Sequence, residues 1–323
     1  MRAVQVHRFG GPEELVPGEV PDPVAGPGEV VVKVAVAGMT FVETQIRRGT
    51  DPWHEPPALP YVPGGVVAGR VDEVGPGADP AWLGRRVIAS PGETGGFAER
   101  AAAPAGELFP VPEGLDLPEA VALHSDGSTA RGLAEHARIG PGEWVLVEAA
   151  AGGVGSLLVQ LARAAGARVI GAAGGARKLD AVRELGADAA VDYREPGWTD
   201  EVRALTGGAG ADVVFDGVGG DLGRAAFAVT AHGGRFSVHG AAGGPATTID
   251  PADARRAGVE VLGIEQLFGF GPHLTRWARE IMTEAAAGRV RPLIGQTFPL
   301  DRAADAHAAI ENRTALGKTV LLL

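Results

Sequence analysis

The sequence predicts an α/β protein with two domains, one rich in β-strands and one built on a parallel sheet with helices on both faces. Short valine-rich strands separated by turns occupy residues 1 to about 120. Beyond that point apolar strands alternate with helices, which is typical of a parallel sheet. The length of 323 residues also suits two domains better than one core.

The β-rich part is predicted from runs of valine between glycine and proline turns. The stretch Asp51–Pro60 contains four prolines, so we expect a loop there rather than a helix. This loop is long enough to border a cleft. The strands of this part are expected at Arg2–His7, Glu29–Ala37, Val66–Val74 and Arg86–Ser90.

The parallel sheet is predicted from six apolar strands and the helical spacing between them. The strands are expected at Trp144–Val147, Arg168–Ile170, Ala189–Asp192, Asp212–Phe215, Arg235–Val238 and Val259–Leu262. Two helices are expected between them, at Val154–Ala165 and Ala176–Leu185. The tail from about residue 266 is expected to hold a helix at Pro272–Ala287, a strand at Gln296–Phe298, a helix at Ala303–Asn312 and a strand at Lys318–Leu322. We expect this last strand to return to the first domain.

Charge and composition exclude several classes of function. The net charge of −11 argues against general binding to nucleic acid or anionic membranes. A local basic patch around Arg47 and Arg48 is compatible with that net charge. The absence of cysteine excludes disulfides and thiolate-ligated zinc. There is no apolar leader and no run of about 18 or more apolar residues, so we expect a cytoplasmic protein without a transmembrane helix.

The most informative motif is a glycine-rich turn between a strand and a helix, within Val145–Gly155. Ala149 and Gly152 leave room for a tight turn, and Gly152 and Gly153 allow a pyrophosphate to approach the backbone. Gly155 allows the helix to pack closely on the strand, and the helix N-terminus attracts the phosphates. A dinucleotide site is therefore predicted, and a glycine-rich turn that binds nothing is the alternative.

The segment after the second strand favours NADPH over NADH. NAD sites usually carry an acidic residue about 20 residues after the glycines, whereas Gly171–Lys178 contains none. Arg177 and Lys178 would attract a 2′-phosphate, and Tyr193 would pack against the adenosine. The alternatives are that the two cations lie on a solvated helix face and that Tyr193 has only a surface role.

Seven short motifs follow one another along the chain, and each is weak alone. They are MRAVQVHRFGGPEEL (1–15), PGEVVVKVAVAG (27–38), ETQIRRG (43–49), LPYVPG (59–64), GGFAE (95–99), AAGGVG (150–155) and GKTVLLL (317–323). As an ordered set they resemble the zinc-free quinone oxidoreductases, the ζ-crystallin branch of the medium-chain dehydrogenase/reductase superfamily.

The resemblance implies a GroES-like catalytic domain, residues 1–122 and 266–323, interrupted by a Rossmann domain at 123–265, with the active site in a cleft between them. It also implies NADPH as cofactor, no metal, a small-molecule substrate and a homodimer with sheets paired near Val259–Leu262. The cofactor residues it implies are Gly152, Gly153 and Val154 at the pyrophosphate, Gly174, Lys178 and Tyr193 at the 2′-phosphate, Thr129 and Phe268 toward the nicotinamide, and Arg313 near the inner phosphate or ribose.

Three departures from the family pattern lie on the substrate side. Relatives usually carry asparagine at the position of Thr40 and an acidic residue at the position of Val66. Zinc-dependent members have a His-Glu pair where this chain has Gly65 and Val66, which argues further against a catalytic zinc. The aromatic residue that often follows the RxG segment is missing, and Trp53 is its candidate substitute.

The chemistry that the resemblance implies is hydride transfer from NADPH to a quinone or to the β-carbon of an enone. Negative charge then develops on oxygen and requires a hydrogen-bond or proton donor. The candidate donors are the hydroxyls of Thr40 and Tyr61, an ordered water, His124 and His239. A purely structural role is the alternative for each histidine.

Two other functions are compatible with the same residues. One is a specialised biosynthetic enoyl or enone reductase, or a cyclising enzyme. The other belongs to a different class: a non-catalytic NADPH-binding protein with a structural or sensing role. The acidic charge argues against RNA as the partner of such a protein.

Overall fold

Fifteen β-strands and ten α-helices form the fold, and the structure, a computed structural model, describes all 323 residues. The strands are β1 (Arg2–Val6), β2 (Leu15–Glu19), β3 (Glu29–Gly38), β4 (Val67–Val74), β5 (Arg86–Ala89), β6 (Arg100–Pro104), β7 (Phe109–Pro110), β8 (Trp144–Glu148), β9 (Arg168–Ala173), β10 (Ala189–Asp192), β11 (Ala211–Asp216), β12 (Thr230–Val238), β13 (Glu260–Leu262), β14 (Ile294–Pro299) and β15 (Lys318–Leu322). The helices are α1 (Phe41–Arg48), α2 (Leu117–Ala122), α3 (Ser128–His136), α4 (Gly153–Ala164), α5 (Ala176–Glu184), α6 (Trp198–Leu205), α7 (Gly220–Phe227), α8 (Pro251–Ala257), α9 (Leu274–Ala286) and α10 (Ala303–Glu311). None of these helices has the length and apolar character needed to cross a membrane.

The chain divides into two units. Unit 1 comprises Met1–Ser125 and Ile294–Leu323, and unit 2 comprises Asp126–Leu293. The first boundary lies close to the expected position, but the second lies near residue 293 rather than 266. The α/β fold class, a β-rich unit and a unit with a parallel sheet, is as the sequence predicted.

Unit 1 is built around a seven-stranded sheet in which β3 is central. The strand order is β14-β15-β3-β4-β5-β7, and β6 pairs with β3 outside that path. The last strand of the chain, β15, pairs antiparallel with β3, with Val320 opposite Gly38, so the C-terminus does return to this unit. Val30 and Val32 of β3 and the nearby Phe97 are fully buried in the core of this unit.

Helix α1 is an element that the strand pattern did not predict. Its first residue follows Thr40, whose side-chain oxygen accepts a hydrogen bond from the Glu43 backbone, while the Glu43 side chain accepts one from the Thr40 backbone. This reciprocal capping box satisfies two backbone donors that a helix start leaves unpaired. The helix ends at Gly49, which adopts the left-handed conformation at φ 73°.

Unit 2 is a doubly wound sheet of six parallel strands. Their order is β10-β9-β8-β11-β12-β13, which places β8 and β11 at its centre. Leu146, Val214 and Phe236 fill the core between sheet and helices. In such sheets ligands bind at the carboxyl ends of the strands where the strand order reverses, here between β8 and β11.

The packing of α9 explains why the segment after residue 266 belongs to unit 2. Trp277 of α9 is fully buried, and its ring lies so close to α3 that a Cβ on Gly132 would be 2.6 Å from it. The indole N–H of Trp277 also donates to Glu135 of α3 at 3.1 Å, and Arg276 pairs with the same carboxylate. The burial of this tryptophan against α3 places the segment in unit 2, although the segment lies close in sequence to the strands that return to unit 1.

Candidate functional site

The turn between β8 and α4 has the geometry of a dinucleotide-binding turn. Ala149 adopts φ 49°, a left-handed conformation that glycine occupies more easily. Gly152 immediately precedes the first helical residue of α4. A Cβ on Gly155 would lie 2.3 Å from the carbonyl oxygen of Ala149, which is the close packing of helix on strand expected at this position. The first turn of α4 also contains Val154.

An acidic side chain lies over the first turn of α4. A Cβ on Gly153 would lie 1.9 Å from Oδ2 of Asp126, so this carboxylate faces the helix N-terminus directly. Helix N-termini attract negative charge because of their unpaired N–H groups and the helix dipole. This end of α4 therefore offers a favourable place for an anionic group.

The end of β9 carries a second anion-binding feature. Gly174 and Gly175 are covered by Arg194, because a Cβ on Gly175 would lie 2.9 Å from Nη2 of Arg194 and a Cβ on Gly174 would lie 3.3 Å from the Tyr193 ring. Lys178 lies in the first turn of α5 and is half-buried. Two cations and a tyrosine thus surround a backbone turn that has no side chains of its own.

Arg194 is a residue of this site that sequence reasoning missed. Its guanidinium binds Asp192 through two hydrogen bonds, of 2.7 and 3.0 Å, and holds the pKa of that carboxyl at about 2. Asp192 also accepts the Gly175 backbone N–H at 2.9 Å, so it fixes Arg194 against the turn. The sequence feature that could have identified Arg194 is its position just after β10. Because β10 neighbours β9 in the sheet, residues that follow the two strands lie close together.

The remaining predicted cofactor residues lie in different parts of the chain. Thr129 is in α3 of unit 2, and Phe268 lies in the short helical segment Ile264–Gly269, where it is 63% exposed. Arg313 follows α10 in unit 1, with φ 54°. Their proposed contacts with a cofactor stay predictions.

Unit 1 contains a cavity of about 200 Å³ next to the start of α1. Its wall includes Val66, where relatives usually carry an acidic residue, together with Gly38, Gly65 and Gly92. The polar residues that line it are Thr40, Glu43, His54, Glu93, Ser125 and Lys318. Those residues come from five separate stretches of the sequence, and the fold brings them together.

Two buried side chains of opposite type, Lys318 and Glu43, line this cavity. Lys318 is only 3% exposed, and its ammonium donates to the Ser125 hydroxyl at 3.1 Å. Glu43 accepts the backbone N–H of Thr40 at 2.7 Å and of Gly65 at 3.1 Å. Burial raises the pKa of Glu43, and these hydrogen bonds and the charge of Lys318 offset the rise only in part. The cavity therefore contains a fixed cation shielded from bulk water.

The proline-rich loop contributes a histidine–aspartate pair to the same cavity. Nδ1 of His54 lies 2.8 Å from Oδ2 of Asp51, which is 3% exposed at its side chain. The same oxygen accepts the backbone N–H of His54 at 2.7 Å and of Trp53 at 3.2 Å. As expected, the loop contains no regular helix. The pair was not predicted, because the sequence alone gives no orientation for a side chain in such a loop.

Of the four predicted catalytic residues, Thr40 lines the cavity and three do not. Tyr61 is buried beside β1, and burial raises its pKa to about 12. His124 packs edge-on against Phe109, and burial lowers its pKa to about 4. His239 lies in unit 2.

His239 belongs to a buried cluster at the carboxyl ends of the central strands. Glu148 ends β8 and Asp216 ends β11, and both are inaccessible to solvent. Burial, with the neighbouring Asp216 carboxylate, raises the pKa of Glu148 well above its usual range. Burial lowers the pKa of His239 to about 4, so its ring is neutral at pH 7. Asp216 also accepts the backbone N–H groups of Val218 and Gly219, which supports a structural role for this cluster.

The side chains present do not fit a zinc site. No three histidine, aspartate, glutamate or cysteine residues converge in a way that would hold a metal ion, and the chain has no cysteine. Zinc sites in proteins use three or four such ligands.

Comparison with known proteins identifies relatives over the whole chain. Residues 26–113 match the alcohol dehydrogenase GroES-like domain, and residues 153–271 match the family described as zinc-binding dehydrogenase. The quinone oxidoreductase of Rattus norvegicus is 35% identical over 326 residues, covering 100% of this chain and 98% of the relative. A 2-haloacrylate reductase from a Burkholderia species is 33% identical over 334 residues, covering 99% of this chain and 98% of the relative.

A solved structure of a mycobacterial protein in complex with NADPH superimposes with a TM-score of 0.90. It is 34% identical in sequence, and the match covers 100% of both chains. The full-length similarity agrees with the ordered motifs, the strand order of unit 2 and the turn after β8. The chain therefore belongs to the quinone oxidoreductases of the medium-chain dehydrogenase/reductase superfamily, the ζ-crystallin-like branch.

Proposed function

We propose that this oxidoreductase uses NADPH to reduce a quinone or an α,β-unsaturated carbonyl compound without a metal ion. The observation that carries this proposal is the cavity of unit 1, where a buried ammonium and a threonine hydroxyl face the same small space. The names of the rat and Burkholderia relatives and the NADPH complex of the mycobacterial relative support it.

Unit 2 supplies the groups that would hold NADPH. The turn Ala149–Gly155 and the N-terminus of α4 suit the pyrophosphate, because both present backbone N–H groups to an anionic group. Lys178, Tyr193 and Arg194 suit the adenosine 2′-phosphate, and Arg194 is already oriented by Asp192. When bound, NADPH supplies a hydride from its nicotinamide ring.

Unit 1 supplies the groups that would stabilise the acceptor. Reduction places negative charge on the acceptor oxygen, and the Lys318 ammonium attracts that charge strongly because the site is shielded from water. The Thr40 oxygen accepts a hydrogen bond from the Glu43 backbone, so its hydroxyl hydrogen is oriented away from that N–H. We assign Lys318 and Thr40 as the hydrogen-bond donors to the acceptor oxygen.

The size of the cavity favours a small acceptor. Its volume of about 200 Å³ is below the range of roughly 300–1,000 Å³ typical of ligand pockets. An enone or a single-ring quinone suits this space better than a polycyclic quinone.

The direct test is the loss of NADPH absorbance when the purified, metal-free protein is mixed with single-ring quinones and small enones, with NADH in parallel. The proposal predicts turnover with NADPH and a kcat/KM at least about 10-fold lower with NADH, as expected for loss of one charge-assisted contact. Tight NADPH binding without turnover of any acceptor would contradict the reductase and leave the non-catalytic NADPH-binding protein or the specialised biosynthetic enzyme.

We also propose that the protein is a homodimer. Strand β13 is the edge of the parallel sheet and pairs only with β12 within the chain, so its other side is available to a second copy. Light scattering after gel filtration should give twice the chain mass of 32.9 kDa. A single peak at the chain mass would contradict it.

A further inference from the structure

His54 lines the proposed acceptor cavity, and its ring is held by Asp51. We propose that His54 is the acid that protonates the reduced acceptor, that Asp51 is its positioning residue, and that the acceptors which need this pair are α,β-unsaturated carbonyl compounds. The proposal rests on the proposed reductase function and assigns a step that Lys318 and Thr40 do not perform.

The orientation of the ring is fixed through Asp51. Three donors converge on Oδ2 of Asp51, namely Nδ1 of His54 and the backbone N–H groups of His54 and Trp53. With Nδ1 directed at the carboxylate, Nε2 is the nitrogen that can carry a proton toward another group. The His54 side chain is 34% exposed, so it can recover a proton from water after each turnover.

The carboxylate of Asp51 is also poorly solvated, which strengthens its attraction to a charged imidazolium. Its side chain is 3% exposed, and Oδ1 is buried without a hydrogen-bond partner. A partly desolvated carboxylate interacts more strongly with a nearby positive charge than one in water does. Besides Asp51, the charged and titratable groups that line the cavity together with His54 are Glu43, Glu93 and Lys318.

The proposed step balances in atoms and charge. The hydride forms a C–H bond at the β-carbon of the enone, and the electrons of the C=C bond move to give an enolate whose oxygen faces Lys318. The Nε2–H bond of His54 then breaks, its proton forms a C–H bond at the α-carbon, and the carbonyl is restored. The neutral imidazole takes up a proton from water, so one NADPH and one proton are consumed for each enone.

Quinones provide an internal control for this step. A reduced quinone has its negative charge on oxygen, and water protonates such an oxygen without an enzyme group. Protonation at carbon is slower and benefits from a positioned acid. Removal of His54 should therefore impair enone reduction much more than quinone reduction.

The test compares wild type, His54→Gln and Asp51→Asn with 2-methylcyclohex-2-enone and with 1,4-benzoquinone. His7→Gln is the matched control, because His7 is exposed. For the enone we expect kcat/KM to fall about 100-fold in His54→Gln and about 10-fold in Asp51→Asn, within the range for loss of general acid catalysis. The loss in both variants should lie in kcat rather than in KM, because the proton is transferred after the acceptor has bound.

A second readout is independent of rate. In D2O the wild type should place deuterium on one face of the α-carbon, whereas His54→Gln should give a mixture of both configurations because water then protonates the enolate. Unchanged enone kinetics and unchanged stereochemistry in His54→Gln would overturn the proposal while leaving the reductase intact. Wild-type turnover of the quinone but not the enone would overturn it too, and wild-type turnover of neither would overturn the proposed function itself.

Discussion

The nucleotide turn of unit 2 and the cavity of unit 1 are built in opposite ways. The turn depends on the backbone: a Cβ on Gly155 would lie 2.3 Å from the carbonyl oxygen of Ala149, and helix α4 begins directly after Gly152. The cavity depends on side chains: Thr40, His54 and Lys318 meet there from distant parts of the sequence.

A binding site made of backbone is easier to predict from a sequence than a site made of side chains. A backbone site requires missing side chains at a fixed spacing in one short segment, so its motif is local. A side-chain site requires only that the fold bring polar groups together, and many sequences satisfy that requirement. The two sites should therefore respond differently to substitution.

The largest effect should come from adding one methyl group to the backbone site. In Gly155→Ala the new Cβ would lie 2.3 Å from a carbonyl oxygen, which cannot move without displacing β8. We expect the Kd for NADPH to rise about 100-fold, equivalent to about 3 kcal/mol, the scale of overpacking in a tight core.

Titration of NADPH fluorescence measures this Kd. The matched control is Gly106→Ala, where a Cβ would have no atom within 4 Å. An unchanged Kd in Gly155→Ala would show that the close packing of α4 on β8 is not needed for the cofactor.

A smaller effect should follow from removing a side chain at the end of β9. Arg194→Ala deletes the guanidinium that Asp192 holds over Gly175. We expect kcat/KM with NADPH to fall about 10-fold, because the side chain is 61% exposed and a charge-assisted hydrogen bond to phosphate is partly screened there. The value with NADH should change less than about twofold, since NADH has no 2′-phosphate.

The control for this variant is Arg183→Ala, on the exposed surface of the neighbouring α5. Equal losses with NADPH and NADH would contradict the assignment of Arg194 to the 2′-phosphate.

The smallest effect should appear in stability rather than activity. Burial and the neighbouring Asp216 carboxylate raise the pKa of Glu148 well above its usual range in the folded protein. Above about pH 4.5 the unfolded chain releases this proton and the folded protein retains it, so the stability contributed by Glu148 decreases as pH rises. Glu148→Gln preserves the shape of the side chain and a hydrogen-bond donor toward Asp216. Its amide does not ionise in the unfolded chain, so this loss of stability with rising pH does not occur.

We expect Glu148→Gln to be more stable than wild type by about 1–2 kcal/mol at pH 8 and by less at pH 5. Urea denaturation at the two pH values measures this difference, with the exposed Glu107→Gln as control. A destabilisation that is the same at both pH values would contradict a protonated Glu148.

Local patterns were enough to predict most of the fold. The strands at Ala189–Asp192 and Lys318–Leu322 have the predicted bounds, because each is a short apolar run that follows a glycine-containing turn. Helix α1 was missed although Thr40 and Glu43 have the spacing of a capping box, which is itself a helix signal. The boundary at residue 266 was misplaced because Trp277 packs against α3, a long-range contact that no local pattern contains.

The sequence predicted fewer residues of the proposed acceptor site than of the proposed cofactor site. The glycines of the turn were named from one segment, whereas Lys318 entered only as part of a terminal motif. Its burial beside Ser125 and Glu43 depends on β15 returning to β3, and the sequence gives no register for that pairing. His54 depends on a loop whose orientation is set by the buried Asp51.

The most direct test of the account is to measure cofactor binding and turnover in Lys318→Met. The substitution retains the length of the side chain but removes the buried charge, and Lys33→Met, exposed on β3, is the matched control. We predict a Kd for NADPH within about twofold of wild type and a kcat/KM for the enone and the quinone about 100-fold to 1,000-fold lower, the scale for losing one oxyanion-stabilising group. Wild-type turnover in Lys318→Met would contradict the assignment of the acceptor site to this cavity.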